Sequence, residues 1–268
     1  MQGCICPHPP LLIPEVGGPS RARVAQTVLA MQRLADSVGE PDTVVVISPH
    51  SEGYGNTHVV RTSRRLRGDF GRFRHPEAAF SYDNDVPFAE LLLALAGDYS
   101  KLEVVPDDSD VLDWGVMVPL SFIEPQTVVS LSIVNTYAEH RQLGQLVRRC
   151  SEELGRDTLF VASGDLSHAL THEAPAPYDP RGKLFDDEVV QLMGSGDFAG
   201  LTRIDPILLE GAAECGLRSF IALGGFLGDD AFVEPQVLSY EGPFGVGYMV
   251  ARFGPPVPVG EADAAAGA

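Results

Sequence analysis

Three of the chain's seven histidines stand where an apolar, β-branched run gives way to loop residues. His8 follows CICP, His50 closes TVVVISPH, and His168 follows TLFVASGDLS. Glu241 lies in SYEGPFGVGY, a glycine-rich turn. Two histidines and one carboxylate on one face of a metal are the ligand set of non-haem Fe(II) oxygenases, because they leave the other positions open for substrate and dioxygen. Taken singly, a histidine after a strand is an ordinary loop or capping residue. The spacings here are also too long for a local metal motif. Such a site exists only if the fold gathers the ends of several strands.

The hydrophobic pattern supplies that kind of fold. Residues 43–48, 127–134 and 158–162 are apolar, β-branched runs of strand length, as expected for strands covered on both faces. A shorter strand fits before Pro7. Ser20 is a helix N-cap by type, with Val24, Val28, Met31, Ala35 and Val38 as the apolar stripe behind it. Residues 86–96, 138–154 and 182–193 read as helices, with a further one inside 207–227, and strand-like runs at 232–239 and 247–253 close the pattern. The alternation predicts an α/β fold: one domain over 1–253, with a central mostly parallel or mixed sheet flanked by helices. Ligands bind outside the carboxyl ends of strands in such sheets. From Gly254 the composition turns to Pro, Gly, Ala and acids, which predicts a disordered tail over 254–268.

Charge narrows the partners. The 268 residues carry 19 Lys and Arg against 37 Asp and Glu, a net charge of −18. A surface that acidic repels phosphate backbones, so nucleic acid is excluded as a partner. No apolar run reaches the roughly 20 residues that span a bilayer, and no basic-then-apolar leader is visible. Four cysteines without a dense framework predict reduced thiols and a cytoplasmic protein. Cys4 and Cys6 share a strand face with His8 and read as structural, and Cys150 and Cys215 read as core. Arg61, Arg64, Arg65, Arg67, Arg72 and Arg74 crowd residues 61–75. They form either a solvated loop paired to nearby acids or a cationic lip for a carboxylated aromatic, with Arg72 foremost. A serine hydrolase built on Ser163 or Ser167 lacks the G-x-S-x-G elbow. Asp165 instead reads as the residue that shapes the loop aiming His168.

Several segments carry a family likeness: PHPPLLIPEVG from Pro7, VVISPHSEGYG from Val45, GDFGRF from Gly68, DWGVMVPLSFI from Asp113, ASGDLSH from Ala162, AECGLRSF from Ala213 and SYEGPFGVGYMVA from Ser239. In this order they resemble the class III extradiol ring-cleavage dioxygenases, the family of the protocatechuate 4,5-dioxygenase beta subunit. The likeness extends especially to the branch of AmmeMemoRadiSam and Memo proteins. The resemblance implies that His8, His50 and Glu241 hold Fe(II) and that His168 is the acid–base residue. The substrates would be O2 and a catechol-like or aminophenol-like aromatic. Memo-like members carry a cysteine at the position the resemblance gives to Glu241, so glutamate there favours the dioxygenase. Asp113-Trp114-Gly115 stands where the dioxygenases often have Asp-His-Gly, which places Trp114, the only tryptophan, beside the substrate. The alternative implied by the branch is a Memo-like metal-binding protein without ring cleavage, working with separate partner proteins. Family members also form homo-oligomers or take a separate small subunit.

Overall fold

β2 (Thr43–Ser48) and β8 (Thr158–Ser163) are buried at every position. Their runs TVVVIS and TLFVAS demand this, because apolar side chains on both faces need helices above and below. The computed structural model describes residues 1–51, 56–134, 136–228 and 234–255. In it, β2 and β8 pair in parallel at the centre of one mixed sheet. β7 (Thr127–Ser132) lies parallel to β2 on its other side. β1 (Gln2–Cys6) lies parallel to β8. Antiparallel strands finish the edges: β10 (Tyr248–Gly254) beside β1, then β9 (Glu234–Glu241), and at the opposite side β4 (Arg65–Phe70) against β5 (His75–Asn84). β3 (His58–Arg61) joins β7 and carries β6 (Val104–Asp107).

The period-two alternation of strands splits the core in two. Ile5, Val45, Ile47, Val129, Phe160, Ala162 and Met249 face one way. They pack with α3 (Val86–Leu95), α5 (Tyr137–Leu154), α6 (Pro180–Ser195) and α8 (Leu217–Leu227). Cys4, Cys6, Val44, Val46, Val128, Val161 and Val250 face the other way. They pack with α2 (Ala25–Ser37) and α4 (Trp114–Ile123). Short α1 (Pro14–Gly17) precedes α2, and α7 (Pro206–Ala212) precedes α8. The α5 and α8 backbones touch, since a Cβ on Gly144 would lie 1.9 Å from the Ala222 carbonyl oxygen.

Several expected boundaries move. Ser20 lies inside a 3-10 segment (Gly18–Val24), and α2 begins only at Ala25 without a side-chain cap. On its stripe Leu34 is buried, whereas Ala35 is half-buried. The arginine-rich stretch is not a loop, since β4 and the start of β5 run through it, but its arginines do pair with nearby acids: Arg61, buried, with Asp107, and exposed Arg65 and Arg67 with Asp83 and Asp110. The single helix expected within 207–227 is two, broken after Ala212. Residues 256–268 of the expected tail, and 232–233 at the head of the expected strand 232–239, lie outside the described residues.

Candidate metal centre

Three neighbouring parallel strands, β2, β8 and β1, end level with one another, with Cys6 opposite Ser163 and Ile47 opposite Ala162. Two residues beyond those ends stand His8 after β1, His50 after β2 and Asp165 after β8. Register thus brings together three side chains that are remote in sequence. Their place outside the carboxyl ends of the strands is the one where open α/β sheets bind ligands.

His8 is buried and sits at the middle of the group. Its Nε2 lies 3.0 Å from His50 Nε2, 3.8 Å from Cys215 Sγ and 3.8 Å from Asp165 Oδ2. One donor atom each from His8, Asp165 and Cys215 falls within 4.8 Å of the others. Burial pushes both His8 and His50 down to about 4, so both are neutral imidazoles at pH 7. Burial also pushes the Asp165 carboxyl up to about 6, against the opposing pull of His168, and raises the Cys215 thiol. Neutral imidazoles, a thiol and a carboxylate converging in a desolvated spot are suitable donors for a transition metal, and the residues present fit one.

Asp165 ties the parts together. Its Oδ1 accepts from the His8 backbone N–H at 3.0 Å, and its Oδ2 is 3.9 Å from His168 Nε2. His168 Nδ1 donates to the Ala213 carbonyl at 2.9 Å. A ring held that way presents Nε2 as the acceptor in its neutral form. Cys215 is delivered by a close backbone crossing: the Gly216 N–H donates to the Asp165 carbonyl at 3.0 Å, and a Cβ on Gly164 would stand 2.2 Å from Gly216 Cα.

The remaining expected residues scatter around this group. Asp113 caps α4, accepting from Val116 N, while Ser48 and Ser51 donate to its carboxylate at 2.8 and 2.6 Å. Trp114 stacks on the His50 ring at 4.0 Å between centroids, and the Arg72 guanidinium sits 5.2 Å above the indole. A cleft of about 700 Å³, lined among others by His50, Phe73, Arg72, Trp114 and Met117, opens there. Arg67 also lines it but is paired with Asp110 at 2.7 Å.

Glu241 is engaged elsewhere. Its Oε1 accepts from the backbone N–H of Thr27 at 2.7 Å and from the Thr27 hydroxyl at 2.6 Å. β10 separates its strand from β1. Cys215, read from the sequence as core, stands beside His8 instead. It falls in the break between α7 and α8, inside a stretch that reads as one helix, and the only signal was its place in AECGLRSF, one of the family-like segments.

A family model described as the catalytic LigB subunit of aromatic ring-opening dioxygenase matches residues 2–251. The chain belongs to the LigB family. Among relatives, this LigB chain is 32% identical over 263 residues to Protein CA_C1420 of Clostridium acetobutylicum, covering 92% of this chain and 56% of that protein. It is 27% identical over 245 residues to a Pseudomonas protein named 2-aminophenol 1,6-dioxygenase beta subunit, covering 79% and 80% of the two. A MEMO1 family protein of Methanopyrus kandleri, MK0963, is 26% identical over 207 residues, covering 74% and 64%. The chain thus spans little more than half of the Clostridium relative. The crystal structure of the uncharacterized protein JW3007 from Escherichia coli K12 shares the LigB fold. Its TM-score is 0.59 at 19% identity, over 95% of this chain and all of that one. No helix among the described residues is long and apolar enough to cross a membrane.

Proposed function

We propose that this LigB-family chain is a non-haem Fe(II)-dependent extradiol dioxygenase that opens a catechol-like or aminophenol-like ring with O2. In this reading His8, His50 and Cys215 hold the metal, and His168 moves the protons. The observation that carries it is the shared Asp165 oxygen: His8 Nε2 and His168 Nε2 stand 3.8 and 3.9 Å from it. A proton-accepting imidazole therefore flanks the donor set, and a site that merely stored metal would have no use for one. The metal, when bound, supplies open positions for two adjacent ring heteroatoms and for dioxygen.

The chain's own groups do the rest. His168 Nε2 accepts a ring hydroxyl proton and returns it during ring opening, while the Ala213 carbonyl holds the other side of its imidazole. Asp165 holds the His8 backbone through Oδ1 and stands 3.9 Å from His168 Nε2 through Oδ2. Trp114 and Phe73, 5.7 Å apart at 80°, offer apolar faces against which an aromatic ring packs. A separate subunit completing the site is part of this proposal, supported by the relative named as a beta subunit.

The test is anaerobic loading with Fe(II) followed by oxygen uptake across catechols and aminophenols. Substrate-dependent uptake with a ring-opened product is expected, lost in His168→Ala and in Cys215→Ala. Glu241→Ala should keep stoichiometric iron. Uptake that survives His168→Ala overturns the assignment of the base, and iron lost from Glu241→Ala but kept by Cys215→Ala overturns the ligand set. A second reading is favoured by one observation, a cysteine beside His8 where a carboxylate was expected: a Memo-like metal-binding protein acting with partners. Stoichiometric iron without uptake across the panel selects it.

A further inference from the structure

A hydroxyl has one hydrogen, and that limits what Ser163 can do. Ser163 ends β8 and is fully buried. Its Oγ lies 2.5 Å from the Gly115 carbonyl oxygen and 2.9 Å from His8 Nδ1. A carbonyl only accepts, so the serine hydrogen goes to Gly115. The serine oxygen must then accept from His8, which places a hydrogen on His8 Nδ1 and leaves Nε2 with its lone pair. The Gly115 carbonyl is open for a reason written in the sequence. Gly115 lies in the first turn of α4, where its helical partner would be the N–H four residues on, and that residue is Pro119, inside the helix.

We infer that Ser163 is a positioning residue that acts through His8: the relay from His8 Nδ1–H to Ser163 to the Gly115 carbonyl holds His8 in one tautomer, with Nε2 bare and aimed at His50, Asp165 and Cys215. The same accounting fixes the partner ring. His50 Nε2 faces the bare His8 Nε2 at 3.0 Å, so in the metal-free protein it is His50 that carries hydrogen on Nε2. The two histidines of the proposed centre therefore hold opposite tautomers before metal arrives. His8 is ready to ligate, and His50 must shift its proton first.

The tautomers are read directly by two-bond 1H–15N spectra of the histidine rings in the metal-free protein. The expected result is His8 protonated on Nδ1 and His50 on Nε2. In Ser163→Ala, His8 should lose its single Nδ1–H form, Ser163→Thr should retain it, and Thr158→Ala, a buried hydroxyl at the far end of β8, should leave both rings unchanged. His8 protonated on Nε2 in the wild type overturns the inference without any variant, and so does an unchanged His8 in folded Ser163→Ala. A second measurement rests on the metal-centre reading above. Fe(II) affinity should fall about 10- to 100-fold in Ser163→Ala, as for other groups that orient a ligating histidine, and equal affinity overturns the positioning role. Wild-type protein that binds no iron yet shows the expected tautomers refutes the function proposed above and leaves the hydrogen-bond relay standing.

Discussion

At the scale of single residues, the centre depends on where lone pairs point more than on which residue types are present. Glu241 has the chemistry of a ligand, yet both of its contacts are donors from Thr27. Truncating it should destabilise the fold, because the N–H of buried Thr27 is left without its acceptor. Glu241→Ala is expected to lose about 1–3 kcal/mol in denaturant unfolding. Trp114 offers a built-in reporter, being the only tryptophan and stacked on His50 at 4.0 Å. Fe(II) titration should quench its fluorescence with the stoichiometry of the site, and Trp114→Phe should abolish the signal while leaving iron binding intact. His8, His50 and His168 were legible from sequence because each follows a strongly apolar run. Cys215 was not, since its segment reads as helix and nothing local shows that the thiol comes beside His8.

At the scale of elements, packing decided what local pattern left open. Helices α5 and α8 cross with backbones in contact at Gly144. Gly144→Ala should force them apart and cost about 1–3 kcal/mol, read as a lowered denaturant midpoint. At the C-terminal end of β7, where His58 bonds to the Ser132 carbonyl, His58 and His140 meet edge to face at 4.9 Å, both fully buried. Burial holds both below the ordinary imidazole value of 6.5, His140 at about 3. The unfolded chain takes up these protons below pH 6.5 while the folded chain refuses them. The stability these rings contribute is therefore full above pH 6.5 and lost as pH falls toward the folded values. Unfolding free energy should drop by up to about 1.4 kcal/mol per pH unit per ring in that window, and His140→Gln should remove its share of the slope. Strands β3 to β6 and helix α4 escaped the sequence reading for a related reason. The arginines of β3 and β4 and Pro119 of α4 suggest loop, whereas pairing with neighbouring strands and the Asp113 cap make these segments regular.

At the scale of the whole molecule, a net charge of −18 on 268 residues sets a repulsion that the fold must overcome. Raising salt from a few tens to a few hundred millimolar should raise the melting temperature by screening it; a fall would mean that the ion pairs outweigh the repulsion. The α/β class and the mixed sheet flanked by helices are what the sequence determined alone, because apolar runs of strand length and helical stripes are local properties. It also determined which strand ends would carry histidines, since each follows its run within a few residues. Only the tertiary structure decided which groups meet. Strand order β2-β8-β1 sets His50, Asp165 and His8 side by side, and places β10 between β1 and the strand of Glu241. A crossing of two glycines, Gly164 and Gly216, brings Cys215 beside His8. These are contacts between segments far apart in the chain, and no local pattern encodes them. The pairing of strands and the direction of each hydrogen bond do.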